Sequence, residues 1–91
     1  MKLSIEHLPA QARFQAVVEG HICFADYRLE AGAMVVTHTE VAPKLEGRGI
    51  AGELMRALLD HASANGLKVR PLCSYARAYM RRHPETAALL A

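Results

Sequence analysis

Hydrophobic and polar positions alternate through the first half of the chain and recur at helical spacing in the second. Ala12 to Glu19 sets Phe14, Ala16 and Val18 on one face, the period of a half-buried strand. Gly20 supplies a turn. His21 to Glu30 follows as a second strand, with Cys23, Ala25, Tyr27 and Leu29 on one face and Ile22 and Phe24 on the other. That mixed pattern predicts cover on both sides over part of its length. Ala31-Gly32 is a tight-turn signal, and Ala33 to Val41 reads as a third strand. Joined by short turns, the three make an antiparallel meander. Met1 to Gln11 carries Pro9 and little periodicity, and reads as an extended lead-in.

From Ile50 to Asn65 the period changes to that of a helix. Ile50, Ala51, Leu54, Met55, Leu58, Leu59 and Ala62 form a broad apolar stripe, with Glu53, Arg56, Asp60 and Ser63 on the wet side. Asn65-Gly66 is a C-terminal stop, with Gly66 at the left-handed cap position. Leu67 to Leu72 is a short strand ending around Pro71. Ser74 is placed to cap a helix through His83, which sets Tyr75 and Tyr79 one turn apart. Pro84 breaks that helix, and Glu85 to Leu90 forms a last short one. The order β-β-β-α-β-α is an α/β (α+β) fold in which the third and fourth strands, joined by a long helix, run parallel. Ligands in such sheets lie at the carboxyl ends of parallel strands, here His38 to Val41 and Leu72-Cys73.

Both ends flank the stretch His38 to Ala51, where a strand leads through a Pro-marked loop into Gly47-Arg48-Gly49 and the helix start at Ile50. The first N–H groups of a helix lack partners, and the helix dipole turns its positive end toward the loop. Glycines let a backbone approach a phosphate closely. This pattern predicts a phosphorylated ligand.

Length and charge narrow the choice. Ninety-one residues make a single domain, 1–91, with a modest core. The formal charge is +2, and Met1 to Leu45 holds four basic and five acidic residues against seven and four from Glu46 to Ala91. The positive half is the one with the glycine loop, which suits a small anion better than a long phosphate backbone. Cys23 and Cys73 match no metal-ligand spacing, so no metal is expected. No signal-peptide layout and no membrane-length apolar run is present. The expectation is a cytoplasmic protein with reduced thiols and no membrane partner.

Lys44-Leu45-Glu46-Gly47-Arg48-Gly49-Ile50-Ala51 resembles the coenzyme A pyrophosphate loop of GNAT-type N-acetyltransferases, a Gln/Arg-x-x-Gly-x-Gly/Ala pattern, with Lys44 where Gln or Arg is usual. Together with His38-Thr39-Glu40-Val41, Pro71-Leu72-Cys73-Ser74-Tyr75 and Arg82-His83-Pro84-Glu85, it is similar to the small stand-alone members of that family. These are the YjdJ type and a minimal plant acetyltransferase with a cysteine near the cofactor. The resemblance spans Arg28 to Glu85; Thr86 stands where this branch often has Tyr, which puts the packing of the last helix in question.

The resemblance implies a truncated GNAT fold and transfer of an acetyl group from acetyl-CoA to an amine of a small molecule or a protein. It implies that Glu46, Gly47, Arg48, Gly49, Ile50 and Ala51 hold the pyrophosphate, and that Val41 and its neighbours run along the pantetheine arm. Glu40 and His38, two apart on one strand and so on one face, are candidate general bases. Each also fits an ordinary role, a solvated carboxylate and a packed imidazole. Cys73, between a strand end and a helix start, either accepts the acetyl group or lies beside the CoA sulfur; a small packed residue is the bland alternative. Tyr79 is a candidate to protonate the departing thiolate, Tyr75 is assigned to packing, and Arg82 is placed to reach a CoA phosphate.

Two other readings compete. A non-catalytic acyl-CoA-binding module would use the same loop without turnover. A nucleic-acid-binding domain would use the C-terminal arginines, but few aromatics are available for base stacking. The acceptor and the oligomeric state stay open, and exposed sheet edges on a domain this small leave room for a homodimer.

Overall fold

In the computed structural model, which describes residues 3–91, five strands lie side by side in sequence order. They are β1 (Glu6–Leu8), β2 (Arg13–Val18), β3 (His21–Glu30), β4 (Ala33–Glu40) and β5 (Lys68–Pro71); α1 (Ile50–Ala64) joins β4 to β5, and α2 (Ser74–Arg82) follows. The β2–β3–β4 meander is antiparallel, and β4 and β5 are parallel, so the α/β meander-plus-crossover arrangement holds. Short 3-10 turns cover Pro9–Gln11, Pro43–Leu45 and Pro84–Leu89.

The lead-in needs correction. Glu6–Leu8 pairs antiparallel with β2, from Glu6↔Gln15 to Leu8↔Arg13, and is an edge strand. Three residues carry too little alternation to show this; pairing with β2 supplies the order. Met1 and Lys2 lie outside the described residues. The two hairpins of the β2–β3–β4 meander have two-residue loops, Glu19-Gly20 and Ala31-Gly32, with both φ values positive in each, as type I′ turns require.

One apolar cluster holds the layers together. Leu54, Met55, Leu58 and Ala62 of α1 meet Phe14, Ala16, Cys23, Ala25, Tyr27, Met34, Val36 and Val69 of the sheet, and Ala76 and Met80 bring α2 onto the same cluster. Ala51, read as part of the apolar stripe, is only partly buried. Leu29 alternates with the buried residues of β3 yet is 63% exposed, because burial ends at Tyr27.

The start of the second helix departs from expectation. The residue capping α2 is Cys73, whose Sγ accepts from the Ala76 N–H at 3.3 Å, so Ser74 is the first helical residue instead of the cap. Thr86 donates from Oγ1 to the His83 carbonyl at 2.7 Å and so ties the start of the last turn locally. The free edge of β5 is covered in part by the chain's own end: Leu90 bridges Val69, and the Ala91 N–H donates to the Val69 carbonyl at 2.9 Å.

Candidate functional site

A register shift opens the sheet where the site lies. Tyr27 pairs with Val36 but Asp26 pairs with His38, so Thr37 is an extra residue in β4. On its other edge β4 stays with β5 only as far as Val36↔Pro71, and the N–H groups of Leu72 and Cys73 both close on the Val36 carbonyl. Beyond that point β5 gives way to α2, and Thr37–Glu40 has a strand on one side only. The gap is a cleft of about 390 Å³ between the end of β4, the loop before α1, and the first turn of α2.

The loop meets the cleft with unused donors. Gly49 is the N-cap of α1 and offers no side-chain cap; the first helical bond, Glu53 N–H to the Gly49 carbonyl at 3.1 Å, leaves the N–H groups of Ile50, Ala51 and Gly52 without helical acceptors. Among the described residues no backbone carbonyl accepts from Gly47, Arg48 or Gly49. Gly47 and Gly49 hold φ values of +86° and +82°, a region that costs any residue with a Cβ. A consecutive set of free N–H groups at the positive end of a helix is an arrangement for a phosphate.

The structure brings most of the sequence candidates together and sets some apart. Glu40, Val41, Glu46, Gly47, Gly49, Ile50 and Ala51 all line the cleft. Arg48 does not; its guanidinium is bonded to the carboxylate of Glu19 on the β2–β3 turn. His38 and Glu40 do share a face and are paired, Nε2 to Oε1 at 3.1 Å, with both side chains exposed. Around them on that face the Arg13 guanidinium lies 3.8 Å over the Phe24 ring and pairs with Asp26 at 2.7 Å. Cys73 is half-buried at the neighbouring end of β5 and does not line the cleft. Arg82 is exposed in the last turn of α2, also outside it.

The two tyrosines exchange positions relative to expectation. Tyr75 lines the cleft, whereas Tyr79 lines a second cavity with Arg56, Asp60, His83 and Glu85, stacked on the His83 ring at 4.0 Å between centroids. Both pack against Gly52: a Cβ there would lie 3.6 Å from the Tyr75 hydroxyl and 3.7 Å from the Tyr79 ring. Thr39, Leu45 and Gly52 also line the cleft and were not singled out in the sequence. Gly52 was the one mark available, since a glycine inside a helical pattern costs about 1 kcal/mol against Ala.

Burial pushes both phenols above the ordinary tyrosine range. For Tyr75 the nearby Tyr79 adds to this and Arg82 opposes it; for Tyr79, Arg56 opposes while Glu85, Asp60 and Glu53 add. The Tyr75 phenol therefore stays protonated at neutral pH and is available as a proton donor in the cleft. Among the described residues no group of three metal-ligating side chains converges, and no helix is long and apolar enough to cross a membrane.

Comparison with known proteins bears on the fold and the family. The chain is 40% identical over 47 residues to Protein NATD1 of Gallus gallus, Mus musculus and Homo sapiens. The match covers 52% of this chain and 43% of the chicken and mouse proteins, so the chain aligns with less than half the length of these relatives. A solution NMR structure of a GCN5-like protein from Staphylococcus aureus superposes with a TM-score of 0.80 at 23% identity, covering 98% of this chain and 88% of that one, and shows the same fold. Residues 13–89 match the family described as GCN5-related N-acetyl-transferase, and the chain belongs to that family.

Proposed function

We propose that the cleft binds acetyl-CoA and that the protein transfers its acetyl group to an amine. The observation that carries this reading is the uncapped start of α1, with two positive-φ glycines, opening beside the unpaired edge of β4. The N–H groups from Gly47 to Ala51 fit the pyrophosphate, with Arg48 as the adjacent cation. The open edge from Thr39 to Val41 fits an extended amide chain such as pantetheine, in the way an added strand would.

Bound there, acetyl-CoA supplies a thioester whose acetyl carbon forms a bond to the amine nitrogen while its bond to sulfur breaks. Glu40, at the cleft and paired with His38, takes the proton from the amine, directly or through water. Tyr75 gives a proton to the departing sulfur; its place in the cleft favours it over Tyr79. Cys73 has its Sγ held by the Ala76 N–H at the start of α2, a position that suits either an acetyl-accepting thiol or a neighbour of the CoA sulfur.

The test is release of free CoA thiol from acetyl-CoA across a panel of primary amines and polyamines. The wild type should turn over with at least one acceptor class. Glu40→Gln should lower turnover by about 100-fold or more while leaving CoA affinity nearly unchanged. Cys73→Ala separates the two roles of the thiol: an acetylated intermediate requires loss of turnover, a neighbour does not. Binding of acetyl-CoA with no turnover on any amine would instead favour a non-catalytic acyl-CoA-binding module.

A further inference from the structure

Glu19 sits in a conformation that its residue type does not favour. It holds φ +50° at the first central position of a type I′ turn, where Asn, Asp or Gly is usual, followed by Gly20 at +79°. Its side chain leaves the hairpin tip and bonds the Arg48 guanidinium, 29 residues away in sequence. Ala31 holds the matching position of the other hairpin at φ +48°, so the backbone alone singles out nothing; the contact of the Glu19 carboxylate with the phosphate-loop arginine is what points to a role at that loop.

We infer that Glu19 is a resident anion for Arg48, holding the guanidinium that the cofactor's pyrophosphate must take over. This rests on the reading that the cleft binds CoA. The turn of β2–β3 then acts as part of the binding site: a phosphate arriving at Gly47 and Gly49 competes with a tethered carboxylate for the loop's arginine. The hydrogen bond from Arg48 and its charge, with smaller help from Lys44 and His21, hold the Glu19 carboxyl below the usual range. Both partners are partly exposed, 38% for the Arg48 side chain and 52% for Glu19, which makes the contact exchangeable and its effect modest.

The experiment is calorimetric titration of CoA, and separately of pantetheine, which lacks the pyrophosphate, into wild type, Glu19→Gln and Glu19→Asn. The Asn variant fits the turn better than Glu and guards against a folding artefact. Both variants should bind CoA about two- to fivefold more tightly than wild type, the range of an exposed ion pair. Pantetheine affinity should not change. In an Arg48→Gln background, which itself weakens CoA binding, replacing Glu19 should have no further effect. Unchanged or weaker CoA binding in both Glu19 variants, with Arg48→Gln still weakening the wild type, would overturn the role of Glu19 and leave the CoA site standing. Absence of CoA binding by the wild type would overturn both.

Discussion

Replacing Gly49 by Ala tests whether the loop before α1 is built for its backbone conformation. Gly49 has φ +82° and ψ 12°, and a Cβ placed on it would meet no atom within 4 Å. A steric clash with neighbours is therefore not the cost; the whole penalty lies in the left-handed backbone, about 1–2 kcal/mol for a residue with a Cβ. Reduced freedom of the unfolded chain returns about 0.4–1 kcal/mol, so the net loss is at most about 1.6 kcal/mol. For a chain of this length that lowers the melting temperature by up to about 13 °C.

Binding should respond more strongly than stability. If the Ala variant relieves its strain by rotating toward negative φ, the N–H groups of Gly49 and Ile50 turn away from the cleft. Loss of one hydrogen bond to a charged phosphate costs about 1.5–3 kcal/mol, or about 10- to 150-fold in Kd for CoA. Gly49→Asn, a residue that tolerates the left-handed region, should lose less on both counts. Thermal melts and CoA titrations on the three proteins check this. A Gly49→Ala protein that melts and binds as the wild type does would refute the argument.

Other outcomes follow from single contacts. Gly52→Ala should raise the melting temperature by about 2–8 °C, since glycine in a helix costs about 0.5–1 kcal/mol and the new methyl meets Tyr75 and Tyr79 only at ordinary contact distance, yet it should weaken CoA binding because that methyl enters the cleft. Tyr75→Phe should lower acetyl transfer by about 100-fold or more, whereas Tyr79→Phe should leave it within about threefold; the reverse order would restore Tyr79 as the proton donor. His7 stacks on Phe14 at 4.1 Å and bonds the Tyr27 hydroxyl at 2.7 Å, and burial, then the proximity of His61, holds its pKa below the ordinary 6.5. The unfolded chain thus binds this proton more readily, so the contribution of His7 is full above 6.5 and is lost as pH falls from there toward the lower folded value. His7→Gln should flatten that part of the stability profile, measured as urea midpoints between neutral and about pH 5.

Much of this was legible because local rules agreed. His21–Glu30 is bounded by two X-Gly turns, and its limits coincide with those read from the sequence. The stripe of α1 and the glycine loop before it needed only helical periodicity and the need for free N–H groups. What was hidden depends on tertiary placement. The extra residue at Thr37 leaves no mark where four apolar residues give way to four polar ones, yet it accompanies the opening of β4 that forms the cleft. The choice between Tyr75 and Tyr79 is set by how α2 docks on Gly52, which spacing within α2 does not determine. Arg48 reads as a free cation until the hairpin carrying Glu19 is folded beside it.

Titrating CoA into isotopically labelled protein, with backbone amide shifts followed by NMR, tests the proposed occupation of the cleft between β4 and the start of α1. The largest shifts are expected at Glu46 to Gly52, with further shifts at Thr39 to Val41 and at Tyr75. Saturating CoA that moves none of these amides, or that moves instead those lining the second cavity around Asp60 and His83, would contradict it.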